Sequence, residues 1–408
     1  MNPNEMSMDN QKTIWNKGFI TILCVNFCHQ MSQQMMNTLV PKYADSLGAN
    51  AYLIGLVGSV FAIASFLIRP VASPAFDSFS KKKLLQIALF GILLTFLGYA
   101  FSPNMTVLLC ARFLHGACIG CVAPLSLAIA GDSLPDKEIG RGIGIFTLCQ
   151  AVGQAVGPYS GLSLSKIIGF QKTFLIGVAI ISVGIALSFM LVDKPQKRET
   201  YRITLDKIIE PDSIDPAIIQ FFVMFAYTCI GSYLAIYGEL LSIDRIGLYF
   251  SVYAIFLLIT RPVSGMMIDR LGYPKVLSTG IICFALSFLI IGFSKTLNGM
   301  LLAAIVNSFG YGVCYPTLQS LVISCAEKSK RGVAASTGFL GSDFGMLLGP
   351  PLTGLLIDSV TKSSGSRIIA YSYGFRLMTI PILLGLFYFL LSWKRIKYKL
   401  DMYTNADR

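Results

Sequence analysis

The chain is organised by long stretches without Asp, Glu, Lys or Arg: 18–41, 46–68, 84–111, 142–165, 173–192, 216–238, 276–294 and 377–393. A bilayer core about 30 Å thick needs roughly 20 mostly apolar residues per helix, and these stretches approach or exceed that length. Charged residues gather between them. The pattern predicts about twelve transmembrane helices over 18–42, 52–75, 84–102, 105–131, 141–164, 170–192, 216–239, 246–267, 275–294, 297–325, 332–357 and 372–393. The segment 193–215 carries Lys194, Lys197, Arg198, Arg202 and Lys207. It reads as a charged cytoplasmic linker between a six-helix half over 1–192 and a second over 216–408. The expected fold class is an all-α membrane protein.

The two halves repeat. Residues 54–71 (IGLVGSVFAIASFLIRPV) and 246–263 (IGLYFSVYAIFLLITRPV) agree at ten of eighteen positions, at an offset of 192. The same offset pairs Asp77 with Asp269, Gly120 with Gly312, Pro124 with Pro316, and Gly153, Gly157 and Pro158 with Gly345, Gly349 and Pro350. One offset maintained from the second to the eleventh predicted helix implies duplication of six helices in a single orientation. Parallel halves about an axis normal to the membrane create a central interface, where a substrate site near the midplane is expected.

Composition strengthens this reading. The 408 residues are 54% hydrophobic and 13% charged, with a mean hydropathy of +0.66. Soluble domains carry about 25% charge. A net charge of +12 suggests nucleic acid, but its distribution argues otherwise. With a cytoplasmic N-terminus and alternating helices, inner loops and tails hold 22 Lys and Arg and outer loops 7. Arg69, Arg112, Arg261 and Arg376 fall in helices or at their ends. This is the positive-inside pattern, and it places both termini in the cytoplasm. The first apolar stretch is long, and no basic n-region directly precedes a short apolar core, so it is expected to be retained as a helix. Ten cysteines lie almost entirely within apolar segments and without metal-ligand spacing, so neither disulfides nor a metal site is expected. No Walker A sequence occurs, so an ion gradient or downhill flow must drive any transport.

Three motifs carry a resemblance to the major facilitator superfamily. The loop after the second helix of that family reads roughly G-x-x-x-D-R-x-G-R-[KR]-[KR]. The second copy here retains Gly265, Asp269, Arg270, Gly272 and Lys275. The first is worn to Ser73, Asp77, Ser78 and Ser80, followed by Lys81, Lys82 and Lys83. Arg112, Gly116 and Gly120 resemble the family's R-x-x-x-G element. Gly153, Gly157, Pro158 and Gly161 resemble the G-x-x-x-G-P-x-x-G-G motif of its drug:proton antiporter branch, with Leu162 replacing the last glycine. The resemblance spans essentially the whole chain and implies a twelve-helix fold working by alternating access. Asp77, Lys81, Lys82, Asp269 and Arg270 would form a cytoplasmic gate, in which carboxylates meet basic residues or the positive ends of neighbouring helices. Glycines four apart let helix backbones approach closely, and the proline after Gly157 bends its helix.

Ionisable residues inside the spans define the candidate chemistry. Asp343 is the one acidic residue well inside an apolar span. Burial penalises its ionised form, which makes it a candidate for binding and releasing a coupling proton. Glu239, at the end of its predicted helix, is the second candidate. Arg112 lies seven residues inside its helix, roughly 10 Å deep, as a fixed charge suited to an anionic group. The two histidines, His29 and His115, each fall near the midplane, and imidazole titrates in the useful range. In the resembled family the first, fourth, seventh and tenth helices line the cavity, which would let the two histidines face one another. Asn26, Gln30, Gln33 and Asn37, with Gln34, form a polar stripe expected to line a wet cavity. Tyr233 and Tyr237, and Asn307, Tyr311 and Tyr315, would supply an aromatic counterpart.

Three functions compete. The first is a proton-coupled exporter of a small amphipathic drug or metabolite. The second is a proton-coupled uptake symporter for a polar metabolite. The third, a non-transporting sensor, lacks an appended soluble domain. An enzyme is disfavoured, because no metal-ligand cluster and no nucleophile–base pair has recognisable spacing. No cofactor and no nucleic-acid partner is expected. The expected partners are a small-molecule substrate, protons and the lipid bilayer of a bacterial cell membrane, with the chain acting as a monomer.

Overall fold

The computed structural model describes residues 14–135, 138–192, 209–327 and 330–405, and within them the chain is helical. The helices are α1 (Lys17–Ser46), α2 (Ala51–Ser78), α3 (Lys81–Ala100), α4 (Met105–Asp132), α5 (Ile139–Ile168), α6 (Phe170–Ser188), α7 (Ile214–Leu240), α8 (Leu248–Phe293), α9 (Leu297–Ser324), α10 (Arg331–Ser364), α11 (Arg367–Leu377) and α12 (Thr379–Asn405). Among the described residues nine helices are long and apolar enough to cross a membrane. The predicted helix 18–42 falls outside that group because its amides and histidine lower its hydropathy. The predicted helix 141–164 does so through its glycines and polar residues, and 246–267 is represented by a shorter apolar helix, Leu248–Arg261. Predicted helices 246–267 and 275–294 are two helices that meet at a kink at Gly272 and share the label α8, and 372–393 is divided at Met378.

Local chemistry sets the helix ends. Asn104 accepts from Val107 N at 3.1 Å at the start of α4, and Thr296 accepts from Gly299 N at 3.3 Å at the start of α9. These two caps stand at corresponding places in the repeat, each satisfying an N–H left open by the helix. The two copies diverge at the next pair. Ser80 ends the connection from α2 by capping α3, with its hydroxyl on Lys83 N at 3.2 Å. At the same place in the second copy Gly272 has φ 75° and ψ 161°, and helix continues on both sides of it. An L side chain rarely adopts that φ, so the second copy retains the motif glycine and the first replaces the turn with a cap.

The chain divides into two compact units. One comprises Met1–Leu39 and Ile63–Ile203, the other Val40–Ala62 and Thr204–Arg408. The ends of α1 and the beginning of α2 thus pack with the second unit. Of the predicted linker, 193–208 lies outside the described residues. Beyond it, Glu210 N donates to Thr337 Oγ1 at 2.7 Å and Ser213 Oγ to the Val322 carbonyl at 2.8 Å.

Equivalent close approaches occur in both units. A side chain at Gly120 would meet Ser65 and Ile68 of α2; one at Gly312 would meet Leu257 and Thr260 of α8, the same positions shifted by 192. In the first unit α3 packs on α4 and α6; in the second α9 packs on α8 and α10 on α7. Ile92, Phe96, Tyr99 and Phe174 are fully buried in the first unit, as are Val223, Phe284, Phe288 and Leu318 in the second. Large apolar side chains are also exposed in rows, including Ile87, Phe90 and Leu94 on α3 and Phe387, Leu390 and Leu391 on α12. Lipid is the solvent such faces require, since water would leave them as extended apolar patches.

Candidate functional site

The polar stripe of α1 belongs to the first unit. Asn26, His29 and Gln33 are buried, while Gln30, Gln34 and Asn37 are partly exposed. Gln33 Nε2 donates to Asn37 Oδ1 at 3.1 Å, and Asn37 Nδ2 donates to Gln34 Oε1 at 3.2 Å. Among the described residues, Asn26 Nδ2, His29 Nε2 and Gln33 Oε1 are buried without a hydrogen-bond partner. Their i, i+3, i+7 spacing places them along one face of the helix.

The glycines of α5 lie directly behind α1. A Cβ added at Gly153 would approach Gln30 Cβ to 2.9 Å and Met31 N to 3.0 Å. At Gly157 it would approach Gln34 Cβ to 3.0 Å and Met35 N to 3.1 Å, and at Gly161 Leu39 Cδ1 to 2.6 Å. The backbone of α5, with Pro158 inside the helix, therefore rests on the residues that carry the polar stripe. In the second unit Gly345 and Gly349 make the same kind of approach to Phe221 and Phe225 of α7, where the stripe is replaced by phenylalanines.

Arg112 and His115 form a second buried group. His115 Nδ1 pairs with Tyr99 Oη at 2.8 Å, and Phe96 meets the imidazole edge to face at 5.1 Å. Arg112 Nη2 donates to the Met36 carbonyl of α1 at 3.0 Å, and its guanidinium carbon lies 5.5 Å from the Tyr99 ring centre. Arg112 and His115 of α4 thus meet at Tyr99, which the sequence reading omitted.

The second unit holds the aromatic residues, in two places. Near the start of α2, Tyr233 Oη donates to the Ala51 carbonyl at 2.9 Å and the Pro350 carbonyl at 2.5 Å. Tyr237 stacks near Tyr371 and Phe375, and its hydroxyl reaches the Gly292 carbonyl at 3.4 Å. Elsewhere Tyr311 and Tyr315 belong to a ladder of rings. Tyr227 and Tyr311 lie face to face with centroids 3.8 Å apart and planes at 9°, and Tyr311 and Tyr315 follow at 5.4 Å and 21°. Tyr253 Oη is 3.4 Å from Tyr227 Oη, and Asn307 Nδ2 donates to Tyr249 Oη at 2.7 Å. Tyr227, Tyr249 and Tyr253 were missed in the sequence. The four-residue spacing of Tyr249 and Tyr253, matching that of Tyr311 and Tyr315, was the available signal.

Asp343 is buried in α10. Glu239 instead pairs at 3.2 Å with Lys42; its own side chain is 54% exposed, while the lysine is buried. Of the gate residues, Lys81 pairs with Asp132 at 2.7 Å, and Lys82 Nζ donates to the Phe189 and Leu191 carbonyls at 2.9 and 2.6 Å. A cation on carbonyls at the end of α6 also suits the negative pole of that helix. Arg270 is exposed. The side chains of Asp77 and Asp269 lie outside the described residues.

Two stretches of the chain, 22–207 and 217–401, match the Major Facilitator Superfamily. The chain belongs to the Major Facilitator Superfamily. Among relatives, it is 22% identical to the multi-drug resistance efflux pump PmrA of Streptococcus pneumoniae over 280 residues, 67% of this chain and 66% of that protein. It is 23% identical to the multidrug resistance protein MdtG of Salmonella dublin over 420 residues, 97% and 98% of the two chains. In fold it is similar to the nucleoside transporter NupG, with a TM-score of 0.78 at 14% identity, covering 92% of this chain and 99% of that one. The protein is therefore an integral, multi-pass membrane transporter of small molecules, and its apolar exposed rows face lipid.

Proposed function

We propose that this Major Facilitator Superfamily protein is a secondary active exporter of small amphipathic organic compounds, driven by protons moving the other way. It works by alternating access through twelve helices in a cell membrane, with both termini in the cytoplasm. The observation that carries this reading is the α1 face. Asn26 Nδ2, His29 Nε2 and Gln33 Oε1 are buried without a partner among the described residues. A buried polar group left without a hydrogen bond costs about 1–3 kcal/mol, so such a face is suited to a ligand or to water that it meets in part of a cycle. The antiporter-like glycines of α5 lie against the same helix. A rearrangement at that seam would move the polar face with it. Relatives named as multi-drug resistance efflux pumps favour the outward direction.

In this reading Asn26, His29, Gln30, Gln33 and Asn37 meet the substrate. Arg112 and His115 act behind them, since Arg112 holds the α1 backbone at Met36. Asp343 carries the proton, because it combines a carboxyl group with burial in a span. Glu239, engaged with Lys42 at an exposed position, is assigned no coupling role.

The test uses the purified protein in proteoliposomes with an imposed proton gradient. Asp343→Asn should abolish gradient-driven accumulation and spare downhill exchange. Unimpaired accumulation by that variant would remove Asp343 from the coupling. Accumulation in the direction of proton flow would replace export with uptake.

A further inference from the structure

The last helix outlasts its apolar stretch. α12 is apolar as far as Trp393, and then five of the eight residues 394–401 are charged: Lys394, Arg395, Lys397, Lys399 and Asp401. The helix nevertheless runs unbroken to Asn405, about 18 Å further at 1.5 Å per residue. Trp393 stands at the change, where an aromatic side chain marks the level of the lipid headgroups, so the charged turns enter the headgroup layer. One face of these turns is fixed on the protein's own carboxylates at the start of α7. Tyr388 Oη donates to Asp215 Oδ1 at 2.7 Å and Arg395 Nη2 to the same atom at 3.1 Å. Lys399 Nζ lies 3.3 Å from Asp212 Oδ1, and Tyr403 Oη donates to Asp212 Oδ2 at 2.6 Å. Positions 388, 395, 399 and 403 follow helical spacing, so these contacts set which side of α12 faces outward.

The outward side carries two lysines that the fold leaves unengaged. Lys394 and Lys397 are exposed, and among the described residues neither ammonium group makes an ion pair or a hydrogen bond. Three residues apart, they are neighbours on the helix surface, and Tyr398, 71% exposed, lies four residues from Lys394. The same side begins within the span as the exposed row of Phe387 and Leu391, which faces lipid, and ends with Met402, exposed beyond the lysines. Steps of three or four residues join Phe387, Leu391, Lys394, Tyr398 and Met402 into one stripe. Asp401 is also exposed and makes no ion pair among the described residues, and the stripe keeps a net positive charge. A lysine stem lies along apolar surface while its head seeks a polar partner, and a tyrosine ring does the same with its hydroxyl. Cations set directly at the end of a lipid-covered row therefore meet the phosphates to which that lipid is attached.

We propose that Lys394, Lys397 and Tyr398 form a binding site for an anionic phospholipid. The two ammonium groups pair with its phosphate and acidic headgroup, the tyrosine hydroxyl donates to the same group, and the acyl chains lie along Phe387 and Leu391. The occupant is a lipid, not a soluble phosphate, because the cations and the apolar row are continuous and a molecule with both a headgroup and acyl chains covers them together. Arg395 and Lys399 hold the helix in register on Asp215 and Asp212 and so aim the free lysines outward. The inference requires that the chain lie in a membrane, and it is independent of what is transported and in which direction.

The experiment titrates the full-length protein, purified in neutral detergent, with phosphatidylglycerol or with phosphatidylcholine of the same acyl chains, and counts bound lipid by native mass spectrometry. The first phosphatidylglycerol should bind at least about fivefold more tightly than phosphatidylcholine, the effect expected of one basic residue at an anionic headgroup. Lys394→Gln combined with Lys397→Gln should remove that preference and leave phosphatidylcholine binding unchanged. Lys394→Arg combined with Lys397→Arg should keep it, since the charges remain. Lys172→Gln, at an exposed position of α6, should also keep it. Both lysines are exposed, so the variants should melt with the parent; if the double glutamine variant does not, Lys397→Gln alone gives the reading as a partial loss. Glycerophosphoglycerol, the same headgroup without acyl chains, should fail to displace phosphatidylglycerol at equal concentration. A preference that survives the glutamine substitutions, or one lost equally in Lys172→Gln, would overturn the site. Displacement by glycerophosphoglycerol would overturn the assignment to a lipid.

Discussion

At the scale of single residues, most polar side chains in the spans serve the helices themselves. Asp358 is the clearest case. Its carboxylate oxygens accept from Ala51 N at 2.9 Å and Tyr52 N at 3.0 Å, while Asn50 Oδ1 takes Leu53 N at 2.9 Å and the Asn50 carbonyl takes Ile54 N at 3.0 Å. The open donors at the start of α2 are thus satisfied, and a negative charge sits at the positive pole of the helix. Asp358→Ala should lower stability in detergent by about 1–3 kcal/mol, since two N–H groups lose a charged acceptor. Lys397→Ala, on an exposed position of α12, should change it by less than about 0.5 kcal/mol. Chemical unfolding of both variants checks the contrast. Tyr233 belongs with Asp358: a Cβ at Gly55 or Gly354 would fall 2.6 or 2.7 Å from its hydroxyl, so two glycines make room for it. Nothing in the sequence distinguishes that tyrosine from Tyr311. Both are intramembrane tyrosines followed four residues later by another, and only packing separates a carbonyl-bonded hydroxyl from a ring in a ladder.

At the scale of elements, the repeat was legible and the seams follow it. The offset of 192 predicted that Gly120 and Gly312 occupy equivalent places, and they meet equivalent residues of α2 and α8. Helix ends were less legible. The break predicted between 246–267 and 275–294 falls at Gly272, where a glycine with positive φ turns the chain without a loop, whereas the division of 372–393 at Met378 had no signal in the sequence. The polar stripe was legible as periodicity, but its two classes, paired and unpaired, were not, since pairing depends on rotamers and neighbours. The α5 seam yields a sharper test. Gly157→Ala inserts a methyl against Gln34 and Met35, whereas Gly144→Ala, on the same helix, meets nothing within 4 Å. Overpacking costs about 1–3 kcal/mol, so Gly157→Ala should lower the melting temperature and slow transport. Gly144→Ala should match or slightly exceed the parent in stability, through alanine's better helix propensity. Equal behaviour of the two would mean that the seam tolerates separation.

At the scale of the whole molecule, the duplication supplies scaffold and the differences supply chemistry. Arg112 corresponds to Ala304, His29 to Phe221 and Asp343 to Ala151 across the offset. The first unit therefore holds amides, imidazoles and an arginine bonded to the α1 backbone, and the second holds the tyrosine ladder and the buried carboxyl group. The central claim is that substrate leaves against a flow of protons. The most direct measurement loads proteoliposomes with a pH-sensitive dye and adds a transported compound in the absence of a membrane potential. Substrate movement should change the lumenal pH, in a direction that reverses with the substrate gradient, and Asp343→Asn should abolish the change. Substrate movement at full rate with no change in lumenal pH would contradict the account.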